Sequence, residues 1–144
     1  MTIVDQLLRR KGNAVFSVAP DASVFDAIRS MADNHVGALL VVDGSTLVGI
    51  VSERDYARKV ILMGRSSSTT AVREIMSSPV VTIGPDRSVE DAMRAMTANR
   101  IRHLPVVRGE RLEGIVSIGD LVKAVIEEQQ VEISTLQAYI TGST

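Results

Sequence analysis

Cysteine is absent, which excludes disulfides, thiolate metal sites and a cysteine nucleophile. Tryptophan is absent too, and aromatics make up only 3% of the 144 residues, too few for a base-stacking nucleic-acid platform. The two histidines, His35 and His103, stand too far apart to suggest a histidine metal site. Neither sign of charge prevails. Sixteen Lys and Arg against 17 Asp and Glu leave a net charge of −1, with no field to draw nucleic acid or an anionic membrane. The longest apolar run, residues 38–42, falls far short of the roughly 20 residues needed to cross a bilayer. The first ten residues lack the apolar core and cleavage signal of a secretory peptide, so the expected compartment is the cytoplasm. What remains, 45% apolar and 23% charged, is the composition of a globular protein. The length suits one compact domain or two small ones sharing a core.

What is present is a stretch written twice. Gly49-Ile50-Val51-Ser52-Glu53-Arg54-Asp55 returns as Gly114-Ile115-Val116-Ser117-Ile118-Gly119-Asp120. Each is a short apolar strand ending in a hydroxyl, with a carboxylate three residues on. That is the pattern of a strand running into the first turn of a helix. There the serine oxygen can cap free backbone N–H groups, and the same turn can offer N–H, hydroxyl and carboxylate to a ligand. On the residues alone, both readings stand. The copies align at a constant offset of 65 residues: Pro20/Pro85, Asp21/Asp86, Ser23/Ser88, Val24/Val89, Asp26/Asp91, Ala27/Ala92, Met31/Met96, Asn34/Asn99, Val42/Val107, Gly44/Gly109 and Leu47/Leu112, besides the repeated stretch. Nearly half of residues 15–61 recurs in this way, which marks an internal repeat.

Each copy reads β-α-β-β-α. Residues 14–18 and 80–83 are β-rich and run into Pro-Asp turns. Ser23 and Ser88 cap helices whose apolar stripes carry Val24, Ala27, Ile28 and Met31, then Val89, Ala92, Met93 and Met96. Residues 37–42 and 47–51, joined through Asp43-Gly44, form a hairpin, as do 103–107 and 112–116, joined through Gly109. Helices are expected from Ser52 to about Met63 and from Ser117 to about Gln130. The chain then divides into an N-terminal helix (1–13), a first repeat (14–63), a polar linker (64–75), a second repeat (76–130) and a C-terminal helix and tail (131–144). One such unit cannot cover both faces of its sheet. The expected fold is therefore α/β (α+β): two β-α-β-β-α repeats packed sheet to sheet with pseudo-two-fold symmetry, leaving a cleft on each side.

These residues resemble a tandem pair of cystathionine-β-synthase-type (CBS) domains, a Bateman module, in a stand-alone protein. The resemblance covers residues 15–127. It is carried by Ser-Val-x-Pro-Asp-x-Ser-Val-x-x-Ala at 17–27, Leu-Leu-Val-Val-Asp-Gly at 39–44 and the stretch at 49–55, with matching sets at 82–92, 103–107 and 114–120. It implies a non-catalytic sensor that binds an adenosine nucleotide (AMP, ADP, ATP or NAD) in the clefts, regulates an unknown protein, and associates as a homodimer through its helices. In such modules the aspartate takes both ribose hydroxyls, and the hydroxyl three residues before it contacts ribose or phosphate. Here these are Asp55 with Ser52, and Asp120 with Ser117. Basic residues at the position of Arg102 and His103 face the phosphates, where a guanidinium pairs oxygens in a bidentate way. Their counterparts, Gly37 and Ala38, carry no charge, so the two clefts are expected to differ. Arg54, whose counterpart is Gly119, and Lys11 are further phosphate candidates. By the same resemblance Pro79, Val80 and Val81 line the adenine slot opposite Ser52 and Asp55. Asn13, Ala14, Val15 and Phe16 line the one opposite Ser117 and Asp120. Arg58 and Lys59 read as a solvated face, and the methionine stripes as core.

Two other classes are weighed against this one. An enzyme finds little support: no serine has a histidine and an acid in a recognisable arrangement, no carboxylates have metal-like spacing, and no Gly-Lys phosphate loop occurs. A structural module with empty clefts, acting on a partner by contact only, fits the uncharged Gly37-Ala38. Arg100, Arg102, Arg108 and Arg111 read as a local anion site rather than a nucleic-acid stripe.

Overall fold

A computed structural model describes residues 2–12 and 14–141. Asn13, named for an adenine slot, and the tail 142–144 lie outside the described residues. The fold is mixed helix and strand, in two compact units.

One unit is Val15–Val80. Its sheet has the order β1 (Ser17–Val18), β2 (Ala38–Asp43), β3 (Thr46–Ser52), with β1 parallel and β3 antiparallel to β2. The β-rich run at 14–18 yields only those two strand residues, although the amide of Leu40 still donates to the Phe16 carbonyl at 3.1 Å. Between β1 and β2 the chain crosses over through α2 (Val24–Asn34), where Ser23 Oγ accepts from the Asp26 amide at 3.1 Å. Val24, Ala27 and Met31 of α2 bury against Leu39, Val41 and Val51, since alternate strand residues share a face. The helix expected from Ser52 to Met63 changes character partway. It is an α-helix, α3, over Glu53–Tyr56 and a wider π-turn over Ala57–Ile61, and it closes at Gly64, whose φ of +67° suits glycine.

The polar stretch at 64–70 is tied down. The amides of Val24 and Phe25 donate to the carbonyls of Thr70 and Ser67 at 2.8 and 3.0 Å, and Thr70 is buried. A 3₁₀ turn (Val72–Glu74) follows, and Val72 and Ile75 enter the core. The amides of Val72 and Arg73 donate to Ala22 and Pro20. Ser77 then pairs with Ile50 of β3, 2.9 and 3.2 Å in the two directions. A Cβ on Gly49 would come within 2.5 Å of the Met76 sulfur and 3.1 Å of the Ser77 carbonyl, so only glycine lets this segment lie so close to β3.

The other unit joins residues 2–12 and 14 to 81–141. β4 (His103–Arg108) and β5 (Arg111–Ser117) form its hairpin, in the same register as β2 and β3. The expected strand at 80–83 reduces to one bridge, Ile83 beside Val106. α4 (Val89–Asn99) starts at a capping box of Ser88 and Asp91. α5 runs without a break from Ile118 to Thr141, so the helix expected to stop near Gln130 and the one expected at 132–140 are a single element. α1 (Val4–Lys11) completes this unit: Val4, Leu7 and Leu8 bury among Val89, Ala92, Met96, Leu104, Val116 and Leu121. Burial of such side chains is worth about 1.5–3 kcal/mol each.

Each copy is thus finished by the segment that precedes the other copy in sequence. The bonds correspond one to one. Val4 and Asp5 donate to Arg87 and Pro85, as Val72 and Arg73 do to Ala22 and Pro20. Val89 donates to Thr2 as Val24 does to Thr70.

Candidate functional site

In the Val15–Val80 unit, β3 hands over to α3 at Ser52, which lies opposite Ala38 of β2. The amide of Glu53 donates to the Gly37 carbonyl at 3.0 Å. Ser52 is the N-cap: its Oγ accepts from the Asp55 amide at 3.2 Å, and Asp55 Oδ2 takes the Ser52 amide at 2.9 Å and the Ser52 hydroxyl at 3.1 Å. The reciprocal bonds explain why serine and a carboxylate recur at this spacing. The other oxygen, Oδ1, pairs with Lys59 Nζ at 3.2 Å, and that ammonium also donates to the Ile75 carbonyl at 2.8 Å. The reading of Lys59 as merely solvated is therefore corrected. The signal was in the sequence, since Asp and Lys four apart on a helix are neighbours. Arg54, one residue before Asp55, is exposed, as is Arg58. Pro79 and Val80 belong to this same unit and follow Ser77 after its pairing with Ile50, two residues before Ser52. Val81 belongs to the other unit.

The second junction repeats the first with different company. Ser117 lies opposite His103 of β4, and the Ile118 amide donates to the Arg102 carbonyl at 2.9 Å. This register sets Arg102, exposed, and His103, half-buried, at the sheet end where α5 begins. Ser117 Oγ accepts from the Asp120 amide at 3.2 Å, and Asp120 Oδ2 takes the Ser117 amide at 2.8 Å. The same Oδ2 meets Lys11 Nζ at 2.6 Å, and Lys11 also donates to the Ile115 carbonyl at 2.7 Å. Burial pushes the Asp120 carboxyl up, but the Lys11 ammonium and the Ser117 donors outweigh it and hold it below the usual range. Beside this pair is a cavity of about 210 Å³, walled by Lys11, Asp120, Arg10, Lys123 and Glu127 over Leu7 and Ala124. Three cations and two anions face it, with Arg10 and Glu127 3.6 Å apart.

The structure brings Lys11, Arg102, His103, Ser117 and Asp120 into one unit, together with Ala14, which is exposed. Val15 and Phe16 belong to the other unit. The four arginines read as one anion site do not cluster. Arg108 and Arg111 lie opposite each other at the turn end of the β4–β5 hairpin, and Arg108 is bonded to Glu113 at 2.8 Å. Arg102 is six residues from Arg108, about 20 Å along an extended chain. Arg10, Lys123 and Glu127 were missed by sequence reasoning, because only the docking of α1 brings Arg10 to α5. Among the described residues, no group of three His, Cys, Asp or Glu is placed to hold a metal, and no helix is long and apolar enough to cross a membrane.

Comparison with known proteins gives one consistent result. The model of the CBS domain matches residues 6–61 and again 72–127. The chain is similar to the CBS domain-containing protein CBSX3, mitochondrial, of Arabidopsis thaliana, with 42% identity over 98% of this chain and 73% of that protein. It is also similar to the solved structure of a protein with CBS domains from Burkholderia ambifaria MC40-6, with 50% identity, a TM-score of 0.85, and 89% of this chain and 96% of that one covered. A third likeness is to the CBS domain pair of protein MJ0100, solved in complex with 5-methylthioadenosine and S-adenosyl-L-methionine. It has 25% identity and a TM-score of 0.78, covering 89% of this chain and 98% of that one.

Proposed function

Since the chain belongs to the CBS-domain family and carries two copies of that domain, we propose that it is a regulatory module that binds an adenosine nucleotide, with Ser117 and Asp120 as the principal ribose site and Ser52 and Asp55 as the second. The domain matched in both halves is the CBS domain, and the chain is read as a regulatory module rather than an enzyme. The observation that carries the reading is the environment of Asp120. Its carboxylate is held ionised at a strand-to-helix junction, with Lys11, Arg102 and His103 in the same unit. An ionised carboxylate accepts from vicinal hydroxyls, and the cations suit the phosphates that follow a ribose. The adenosine-containing ligands of the MJ0100 pair support the ligand class. AMP, ADP, ATP and NAD all share the recognised half. Regulation then follows from differential affinity: a nucleotide that prefers one conformation raises its population, and a partner protein responds to that shift. The cytoplasm suits this role, and the Arabidopsis relative shows by its name that a mitochondrial setting occurs among similar proteins.

For the first junction one observation favours the contact-only alternative. Both oxygens of Asp55 already have partners, Ser52 on one and Lys59 on the other. That site stays empty at nucleotide levels that fill the other.

Calorimetric titration with AMP, ADP, ATP, NAD and S-adenosylmethionine tests the proposal. At least one binds below millimolar concentration and raises the melting temperature, as any ligand of the native state must. Asp120→Asn weakens that ligand at least tenfold and leaves the circular dichroism unchanged. If none of the five binds at millimolar concentration, or if Asp120→Asn binds as the parent does, the proposal fails.

A further inference from the structure

The cavity beside Asp120 carries more charge than a ribose needs. Lys123, Ala124 and Glu127 follow Asp120 by three, four and seven residues, so all four share one face of α5 along about 10 Å. α1 meets them with Leu7, Arg10 and Lys11, again three and four apart, and Leu7 and Ala124 make a buried floor. An ion pair stands at either end of the run, Lys11–Asp120 at 2.6 Å and Arg10–Glu127 at 3.6 Å. Between them Lys123 is exposed and has no partner among the described residues. The first unit builds this corner differently. At the repeat offset Ala124 corresponds to Lys59, whose side chain reaches Asp55 at 3.2 Å and the Ile75 carbonyl at 2.8 Å. Arg10 and Lys11 correspond, at an offset of 68, to the uncharged Ser78 and Pro79, and Glu127 corresponds to Leu62. The first copy thus fills the space with a lysine of its own helix. The second has alanine there, takes its lysine from α1, and keeps the space open.

We propose that this cavity binds a condensed phosphate, a di- or triphosphate chain, held by Arg10, Lys11 and Lys123. Its volume of about 210 Å³ lies below the roughly 300 Å³ at which sites for drug-sized ligands begin, so it takes a small anion rather than a whole nucleotide. A guanidinium pairs phosphate oxygens in a bidentate way, and ammonium groups add point charges. Three cations brought together from two helices match a chain with charge on every phosphate, whereas a lone carboxylate meets only one or two of them. The two acids leave room for it. Glu127 is exposed, and an exposed pair at 3.6 Å is weak, so Arg10 changes partner at little cost. The Lys11 ammonium has three hydrogens. Asp120 and the Ile115 carbonyl take two of them, and the third is left for phosphate. The phosphate chain is either free or the tail of a nucleotide whose ribose meets Asp120. The second source rests on the function proposed above, and the first does not.

Calorimetric titration of the full chain with sodium triphosphate, ATP and adenosine, in metal-free buffer at about 0.1 M salt, tests this and separates the sources. Triphosphate or ATP, or both, bind below millimolar concentration. Lys123→Ala and Arg10→Ala each weaken that binding by roughly fivefold or more, Glu127→Gln tightens it, and adenosine is unaffected by all three. Lys123 is exposed and unpartnered, so its variant melts as the parent does. Ala124→Lys sets shape against charge. It places the first copy's lysine in the cavity, so binding of the phosphate chain is lost although the protein gains a positive charge, and a diffuse attraction would grow instead. Its melting profile reports whether the buried position accepts the lysine; where it does not, Lys123→Ala decides. Triphosphate that responds while neither ATP nor adenosine binds would sink the nucleotide reading and leave this one standing. ATP and adenosine that bind alike, indifferent to Lys123→Ala, would do the reverse. The proposal is overturned if neither triphosphate nor ATP responds to Lys123→Ala, or if a folded Ala124→Lys binds them as well as the parent.

Discussion

The two aspartates share a serine cap and differ in the lysine that neutralises them. Asp55 takes Lys59 from its own helix, and Asp120 takes Lys11 from 109 residues earlier. Lys59 corresponds to Ala124 at the repeat offset of 65, and Lys11, at the offset of 68 that relates the docking segments, corresponds to Pro79, so each copy lacks the lysine the other uses. The Ser-Asp pairs and the Asp55–Lys59 pair were legible because local spacing fixes them. Lys11 was not, because nothing local points from α1 to α5. Its pairing has a pH signature. A carboxyl held low in the folded state stabilises the fold above its unfolded value of about 4, and that contribution is lost as pH falls through the folded value. Lys11→Met should therefore cost about 1 kcal/mol at pH 7, and the deficit should close as pH drops below about 4. Urea melts of both proteins across that range give the answer, and a deficit independent of pH would show that Lys11 acts by packing alone. If Lys11 also meets phosphate, as proposed, the same variant loses AMP affinity relative to adenosine by roughly tenfold, about 1.4 kcal/mol.

Among elements, α1 and the 3₁₀ turn at Val72–Glu74 do the same work in opposite units. The hairpins, α2 and α4 were readable at the offset of 65 because turn glycines, caps and core positions recur there. The docking segments were not, because they correspond at an offset of 68: Val4/Val72, Gln6/Glu74, Leu7/Ile75 and Leu8/Met76. Gln6 and Glu74 even make the same bond, back to the amides of Ile3 and Ala71. A search that allowed a three-residue gap would have found them, although no sequence pattern says that each serves the other copy. The shrunken strands at 14–18 and 80–83 reflect β-propensity overruled by tertiary context. Leu8, 5% exposed among residues of the 81–141 segment, carries the prediction at this scale. Leu8→Ala opens a core cavity and destabilises by about 2–4 kcal/mol. Hydrogen exchange should then quicken in α4, β4 and β5 and stay slow in β2, β3 and α2, since local openings follow compact units. Equal acceleration in both sets would mean that the two units open only together.

Across the whole molecule, similar backbones carry dissimilar charge. The end of the β4–β5 hairpin bears Arg102 and His103 where β2–β3 has Gly37 and Ala38. Asp120 has both its backbone and its lysine contacts on one oxygen, whereas Asp55 has partners on both. The first copy has Arg54 against Gly119 and Lys59 against Ala124, and Lys59 is already paired with Asp55. If both junctions take a ribose, as proposed, two so unequal cannot bind a phosphorylated nucleoside equally. AMP titration should resolve two events per chain, the tighter one at Ser117–Asp120. Because phosphate attraction by exposed cations is screened, the tighter event should weaken several-fold between about 0.05 and 0.5 M salt, while adenosine binding barely moves. Arg102→Ala should bring the two events together by weakening the tighter one roughly tenfold, and it should spare adenosine. Two equal events with the same salt dependence, unaltered by Arg102→Ala, would mean that the charge asymmetry of the repeats has no part in choosing the ligand.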